Sequence, residues 1–128
     1  IVFVEDELVD AQIFKALSWE EYRFNKSRRR EAERWVETIV NACIDISKIL
    51  LASRKKAIPD TYREIVSALQ WLDKKADGAT IRQVAEFAKL RNILAHEYVD
   101  LKWDQIKEFI RKSNRVIPKF LSEIKRHI

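Results

Sequence analysis

The chain has 128 residues, 47% of them hydrophobic, and a formal net charge of +5; this length makes one domain that buries roughly two-thirds of its unfolded surface, and it excludes a second. One glycine and two prolines are too few for the turns of a many-stranded sandwich or barrel, and a lone glycine excludes a glycine-rich phosphate loop. What remains is an all-α, up-and-down bundle of four to five helices over residues 1–128, with a positive charge that suits a polyanionic partner.

Leu8, Val9, Ile13, Ala16 and Leu17 recur at helical spacing, so residues 5–17 read as a first helix. Ser18 followed by Glu21 has the capping-box pattern and starts a short helical turn through Trp19 and Tyr22 that ends near Asn25. Asn25 or Ser27 then caps a long second helix, residues 28–53, with Ala32, Trp35, Val36, Ile39, Ala42, Cys43, Ile46, Ile49 and Leu50 in one stripe. A second stripe, Val40, Ile44 and Leu51, makes this helix apolar around too much of its circumference for a surface helix. Either it is central to the bundle or that face meets another subunit, and both can hold in one protein.

Ile58-Pro59-Asp60 interrupts the periodicity, and Thr61 with Glu64 caps a third helix carrying Ile65, Val66, Leu69 and Leu72. After the Asp77-Gly78 turn, Thr80 caps a fourth with Ile81, Val84, Phe87, Ala88 and Leu94. A break around Tyr98 to Lys102 leads into the fifth, whose apolar face is Trp103, Ile106, Phe109, Ile110, Ile117, Phe120, Leu121 and Ile124; Pro118 inside it predicts a kink.

No apolar run approaches the ~18 residues of a bilayer span, and no signal-peptide pattern is present, so the expected location is cytoplasmic, away from membranes. The single Cys43 allows no internal disulfide and reads as a buried structural thiol. The start at Ile1 and the lack of methionine point to further N-terminal residues. Two histidines, His96 and His127, and one cysteine offer no metal-ligand cluster. The basic runs Arg28-Arg29-Arg30 and Arg54-Lys55-Lys56, ~39 Å apart on one continuous helix, read first as solvated helix ends and otherwise as grips on nucleic-acid backbone.

The fourth helix carries the unusual chemistry. At about 100° per residue, Val84, Phe87, Ala88 and Ala95 share a broad face with Arg91 in its middle. A guanidinium on a packing face is costly unless it is paired or solvated by a cleft. Arg91 is therefore half of an ion pair inside the bundle, or an anion-binding group in a pocket or subunit interface. His96 is rotated roughly 140° from it, so one regular helix cannot aim both at one ligand, whereas Asn92 and His96 share a face. Two facing copies of the motif, or side chains reaching round a helix end, would bring them together. Singly, His96 reads as a helix-end cap or core group and Tyr98 as a packed ring with a wet hydroxyl. In combination, a permanent cation, a group that titrates near neutrality and a phenol suit phosphodiester chemistry.

Arg91-Asn92-Ile93-Leu94-Ala95-His96-Glu97-Tyr98 resembles the R-x4-H-x-Y signature of the HepT branch of the HEPN superfamily, down to the asparagine after the arginine. Pro59-Asp60-Thr61-Tyr62-Arg63 is similar to the start of that family's third helix, and the long second helix matches as well. Lys89-Leu90 departs from the small residue common before the arginine, and Trp19 to Arg30 is more basic than the family pattern.

The resemblance implies a metal-independent endoribonuclease, without cofactor, that is the toxin of a two-gene toxin–antitoxin module. It implies a homodimer whose two motifs line a shared cleft, an RNA substrate, and a minimal nucleotidyltransferase antitoxin that adenylylates the motif tyrosine, here Tyr98. Under it, His96 is the general acid or base, Arg91 holds the scissile phosphate and Asn92 orients the histidine or the phosphate. The alternative keeps the fold without catalysis, as a nucleotide- or RNA-binding module or a docking surface for the nucleotidyltransferase; a purely structural helical adaptor is the third reading.

Overall fold

The computed structural model describes residues 1–72, 77–95 and 98–127. Among them the chain is helical and forms no strand: α1 (Val2–Leu8), α2 (Ala11–Lys15), α3 (Trp19–Phe24), α4 (Lys26–Ser53), α5 (Tyr62–Ser67) with a 3-10 turn at Ala68–Trp71, α6 (Gly78–Ala88), α7 (Leu90–Ile93) and α8 (Val99–Lys125). The all-α bundle expected from composition is what forms.

Local chemistry sets the helix starts. The side chains of Ser18, Asn25 and Thr61 accept from the backbone N–H three residues on, at 3.1, 3.1 and 3.2 Å. Each bond satisfies a donor that the first turn would otherwise orphan, worth ~1 kcal/mol apiece. At α6 the cap is Asp77 rather than Thr80. Its carboxylate accepts from the N–H groups of Ala79 and Thr80 and from the Thr80 hydroxyl. A negative charge at the positive end of a helix outcompetes a neutral hydroxyl there, and Thr80 is carried inside the helix and buried.

The N-terminal segment departs from one helix over 5–17. Tightened bonds from Val9 N–H to Asp6 O and from Asp10 N–H to Glu7 O end α1, and Asp10 begins α2. Val4, Ala11, Phe14 and Leu17 are buried, whereas Val9 and Ile13 are exposed. Both stripes have helical spacing; the one holding the larger Phe14 ring wins because it buries more apolar area. That ring packs 5.0 Å from Trp35, whose indole N–H donates to Glu7 O at 2.7 Å across the broken joint.

α4 is the axis of the bundle. Ala32, Trp35, Val36, Ile39, Cys43 and Leu50 are buried, and so are Val40, Ile44 and Leu51. The second stripe is therefore covered within one chain, by the helices that pack round α4, and is not a free face for another subunit. Ile49, counted in the first stripe, is 70% exposed instead. The helix ends with Lys55 at φ 57 and Lys56 N–H on Leu51 O at 2.9 Å, a Schellman closure with lysine where glycine is usual.

α8 supplies the opposing face, with Ile106, Phe109, Ile110, Ile117, Phe120, Leu121 and Ile124 buried. It starts at Val99, earlier than expected, and stays helical through Pro118. Both Pro118 and Asn114, whose carbonyl the proline leaves without a donor, are exposed, so water can satisfy that carbonyl. Phe109 meets Trp35 at 5.6 Å and Phe87 at 4.9 Å, both edge to face, the favoured arrangement of aromatic pairs.

Cys43 sits in this core, 2% exposed. Burial pushes its thiol up to about 12, so the thiolate that reacts is scarce. A thiol reagent at pH 8 is expected to label the native protein only as fast as the fold opens; labelling at the rate of a free thiol would contradict this.

Candidate active site

From Lys89 to Ala95 the chain does not continue α6 as a regular helix. Lys89 N–H bonds to Glu86 O, Asn92 N–H to Lys89 O and Ala95 N–H to Asn92 O, all three residues back. This tightening advances the later residues round the axis. Leu90, which an ideal helix would place off the packing face, is 2% exposed. Ala95, expected on that face, is exposed, and Arg91 is turned to the edge of the bundle.

There the Arg91 guanidinium meets the Glu37 carboxylate of α4 at 3.2 Å, with side chains 37% and 40% exposed. The packing-face location is thus corrected. The pair lies at the surface, where ion pairs contribute about 0–1 kcal/mol, so an incoming phosphate competes for Arg91 at small cost. Its two-pronged donor geometry fits a phosphate as well as a carboxylate.

One turn earlier on α4, Glu33 accepts from Lys102 of α8 at 3.1 Å and from the Tyr22 hydroxyl at 3.0 Å. Here the exposures are only 13% and 17%, so the pair is largely desolvated and loss of either partner strands a charge. Burial, followed by the adjacent Glu33 charge, raises the Tyr22 phenol well above its ordinary range, and it remains a donor. Tyr22 also packs against Trp103 with ring centroids 5.0 Å apart, and Trp103 against Trp19 at 6.0 Å, both pairs tilted. Glu33 and Glu37 therefore strap the motif segment to α4 on both sides, at Lys102 and at Arg91.

Between the straps, Asn92 is exposed. Tyr98 is the N-cap of α8, and its ring is 72% exposed. With Ile93, Leu101, Lys102 and Gln105 it lines an open groove. His96 lies outside the described residues. His127 stands beside Arg54, whose guanidinium donates to its carbonyl at 3.2 Å, about 25 Å along α4 from Glu37. Among the described residues no three His, Cys, Asp or Glu side chains gather as a metal site, and no helix is long and apolar enough to cross a membrane.

A model of the family described as ribonuclease HepT-like matches residues 4–124. The chain belongs to the HepT-like ribonuclease family. A comparison with curated proteins finds no match. The family is one of ribonucleases, so exposed cations on a HepT-like protein are candidate contacts for RNA phosphate.

The basic runs divide by what their side chains touch. Arg28 pairs with Glu31 at 3.2 Å and lies 3.8 Å from Glu21. Arg29 donates to the carbonyls of Tyr22 and Arg23, closing the end of α3. Arg54, Lys55 and Lys56 belong to the α4 terminus and its closure. Most of both runs is helix-end hardware. Arg30, Lys55 and Lys56 have exposed side chains without an ion pair among the described residues, and of these Arg30 alone lies on the Arg91 half of α4. Neither Glu33 nor Glu37 stands out in the sequence as a site residue; the available signal was their i, i+4 placement on one side of the central helix.

Proposed function

We propose that this HepT-like chain is the toxin component of a HEPN/MNT toxin–antitoxin module, a metal-independent endoribonuclease that works as a homodimer. Arg91 of one protomer and His96 of its partner act on a single phosphodiester. His96 takes the proton from the RNA 2′-hydroxyl, whose oxygen attacks phosphorus, or delivers a proton to the departing 5′-oxygen. Arg91 holds the scissile phosphate and meets the charge that builds on its oxygens. Asn92 orients the histidine or the phosphate.

The observation that carries this reading is the state of Arg91: in a HepT-like ribonuclease it stands at the surface, paired among the described residues with a solvated carboxylate. The exposed phenol of Tyr98 is accessible to a nucleotidyltransferase partner that adenylylates it, which places a bulky anion beside the groove and shuts off cleavage.

The test is the chemistry of the product. Purified protein is expected to cleave single-stranded RNA in excess EDTA and to leave 2′,3′-cyclic phosphate ends. Activity that vanishes in EDTA and returns with a divalent metal would reject the mechanism. RNA binding without any cleavage would favour the non-catalytic module.

A further inference from the structure

Three exposed cations of α4, Lys26, Arg30 and Arg34, follow one another at i, i+4, each ~6 Å further along the axis and ~40° further round it. None has an ion pair among the described residues. Glu33 and Glu37 fall in the same sector of the helix, since both lie within about 20° of Lys26 in azimuth. The row of cations therefore shares the side of α4 that faces Lys102 and Arg91. The two carboxylates in that sector are matched by those partners and leave the three cations uncompensated.

The outer end of the row has a different chemistry. Phe24, the last residue of α3, is 76% exposed. The Arg23 guanidinium lies 5.1 Å from its ring centroid and 5.8 Å from that of Trp19. An exposed ring backed by a stacked guanidinium is a platform for an unpaired base, and a line of cations leading from it follows a phosphate backbone. Exposing a phenylalanine costs hydrophobic stabilisation, and nothing else among the described residues covers it.

We infer that Lys26, Arg30 and Arg34, with Phe24 at the outer end, form a track on α4 that binds single-stranded RNA leading to Arg91. The inference rests on the ribonuclease reading for its choice of ligand. The track acts on affinity, and the bond-breaking step stays with the motif.

The experiment measures binding of a fluorescein-labelled, 2′-O-methylated oligouridine by anisotropy across a range of salt concentrations. This RNA lacks the attacking hydroxyl, so the result does not depend on whether the protein cleaves. Substituting all three track cations by glutamine (Lys26→Gln, Arg30→Gln and Arg34→Gln together) is expected to reduce the slope of log K against log salt by about 2, at ~0.7 per lost phosphate contact. A charge-matched triple at the other end of the molecule (Lys55→Gln, Lys56→Gln, Lys119→Gln) should leave the slope near wild type, and Phe24→Ala should weaken binding with the slope unchanged. Equal slopes in both triples and wild type, equal losses in both triples, or no binding by the folded wild-type protein would each overturn the track. The nuclease reading fails separately, if unmodified RNA is not cut.

Discussion

Replacing Arg91 by alanine is expected to lower the single-turnover rate of RNA cleavage by about 10²–10³-fold, the usual cost of losing one donor to a developing oxyanion. His96→Ala should cost about 10²–10⁴-fold, the range for a positioned general acid or base. Arg91→Lys keeps the charge but loses the paired donor geometry and should fall between wild type and alanine. Stability should barely move with Arg91→Ala, because its only described ion pair, with Glu37, is more than a third exposed on both sides and such pairs contribute about 0–1 kcal/mol. Wild-type cleavage by Arg91→Ala would remove the arginine from the mechanism. A large loss of Tm would instead show that Arg91 serves the fold.

Phe109→Ala should be the reverse case, severe for the fold. The ring is fully buried and braced edge to face by Trp35 and Phe87. Phe→Ala at such sites costs about 3–5 kcal/mol through lost burial and the cavity left behind. Against a total stability of about 5–15 kcal/mol, that removes a large share of the margin that keeps the protein folded. Urea denaturation measures it, with Phe24→Ala as the exposed counterpart. A loss below about 1 kcal/mol at Phe109 would mean that the α4–α6–α8 junction is not the centre of the core.

The capping residues show where the fold is legible from sequence. Ser18, Asn25 and Thr61 act through the next few backbone groups, so a local pattern suffices to place them. The apolar stripes of α4 and α8 are equally readable, because a 28-residue and a 27-residue helix give periodicity many turns in which to declare itself. Short segments are less so. In α1 and α2 two overlapping stripes fit the same spacing, and only the partner across the bundle, Trp35, decides between Phe14 and Ile13. The second stripe of α4 was open to a subunit interface until the surrounding helices were seen to cover Val40, Ile44 and Leu51.

The candidate site divides in the same way. Arg91, Asn92, His96 and Tyr98 are visible as a linear motif. Their setting depends on contacts between distant residues: 54 positions separate Arg91 from Glu37, and Glu33 joins Lys102 to Tyr22, 80 positions away. A regular 100° periodicity also misplaces Arg91, since the tightened turn at Lys89 brings Leu90 inward in its stead.

The most direct measurement of the proposed mechanism is subunit complementation. Arg91→Ala and His96→Ala chains, each inactive, are mixed under denaturant and refolded together. If Arg91 of one protomer and His96 of its partner share a phosphodiester, half of the dimers formed are mixed and each holds one intact site of two, giving about a quarter of wild-type activity. A mixture as inactive as its separate components would contradict the shared site.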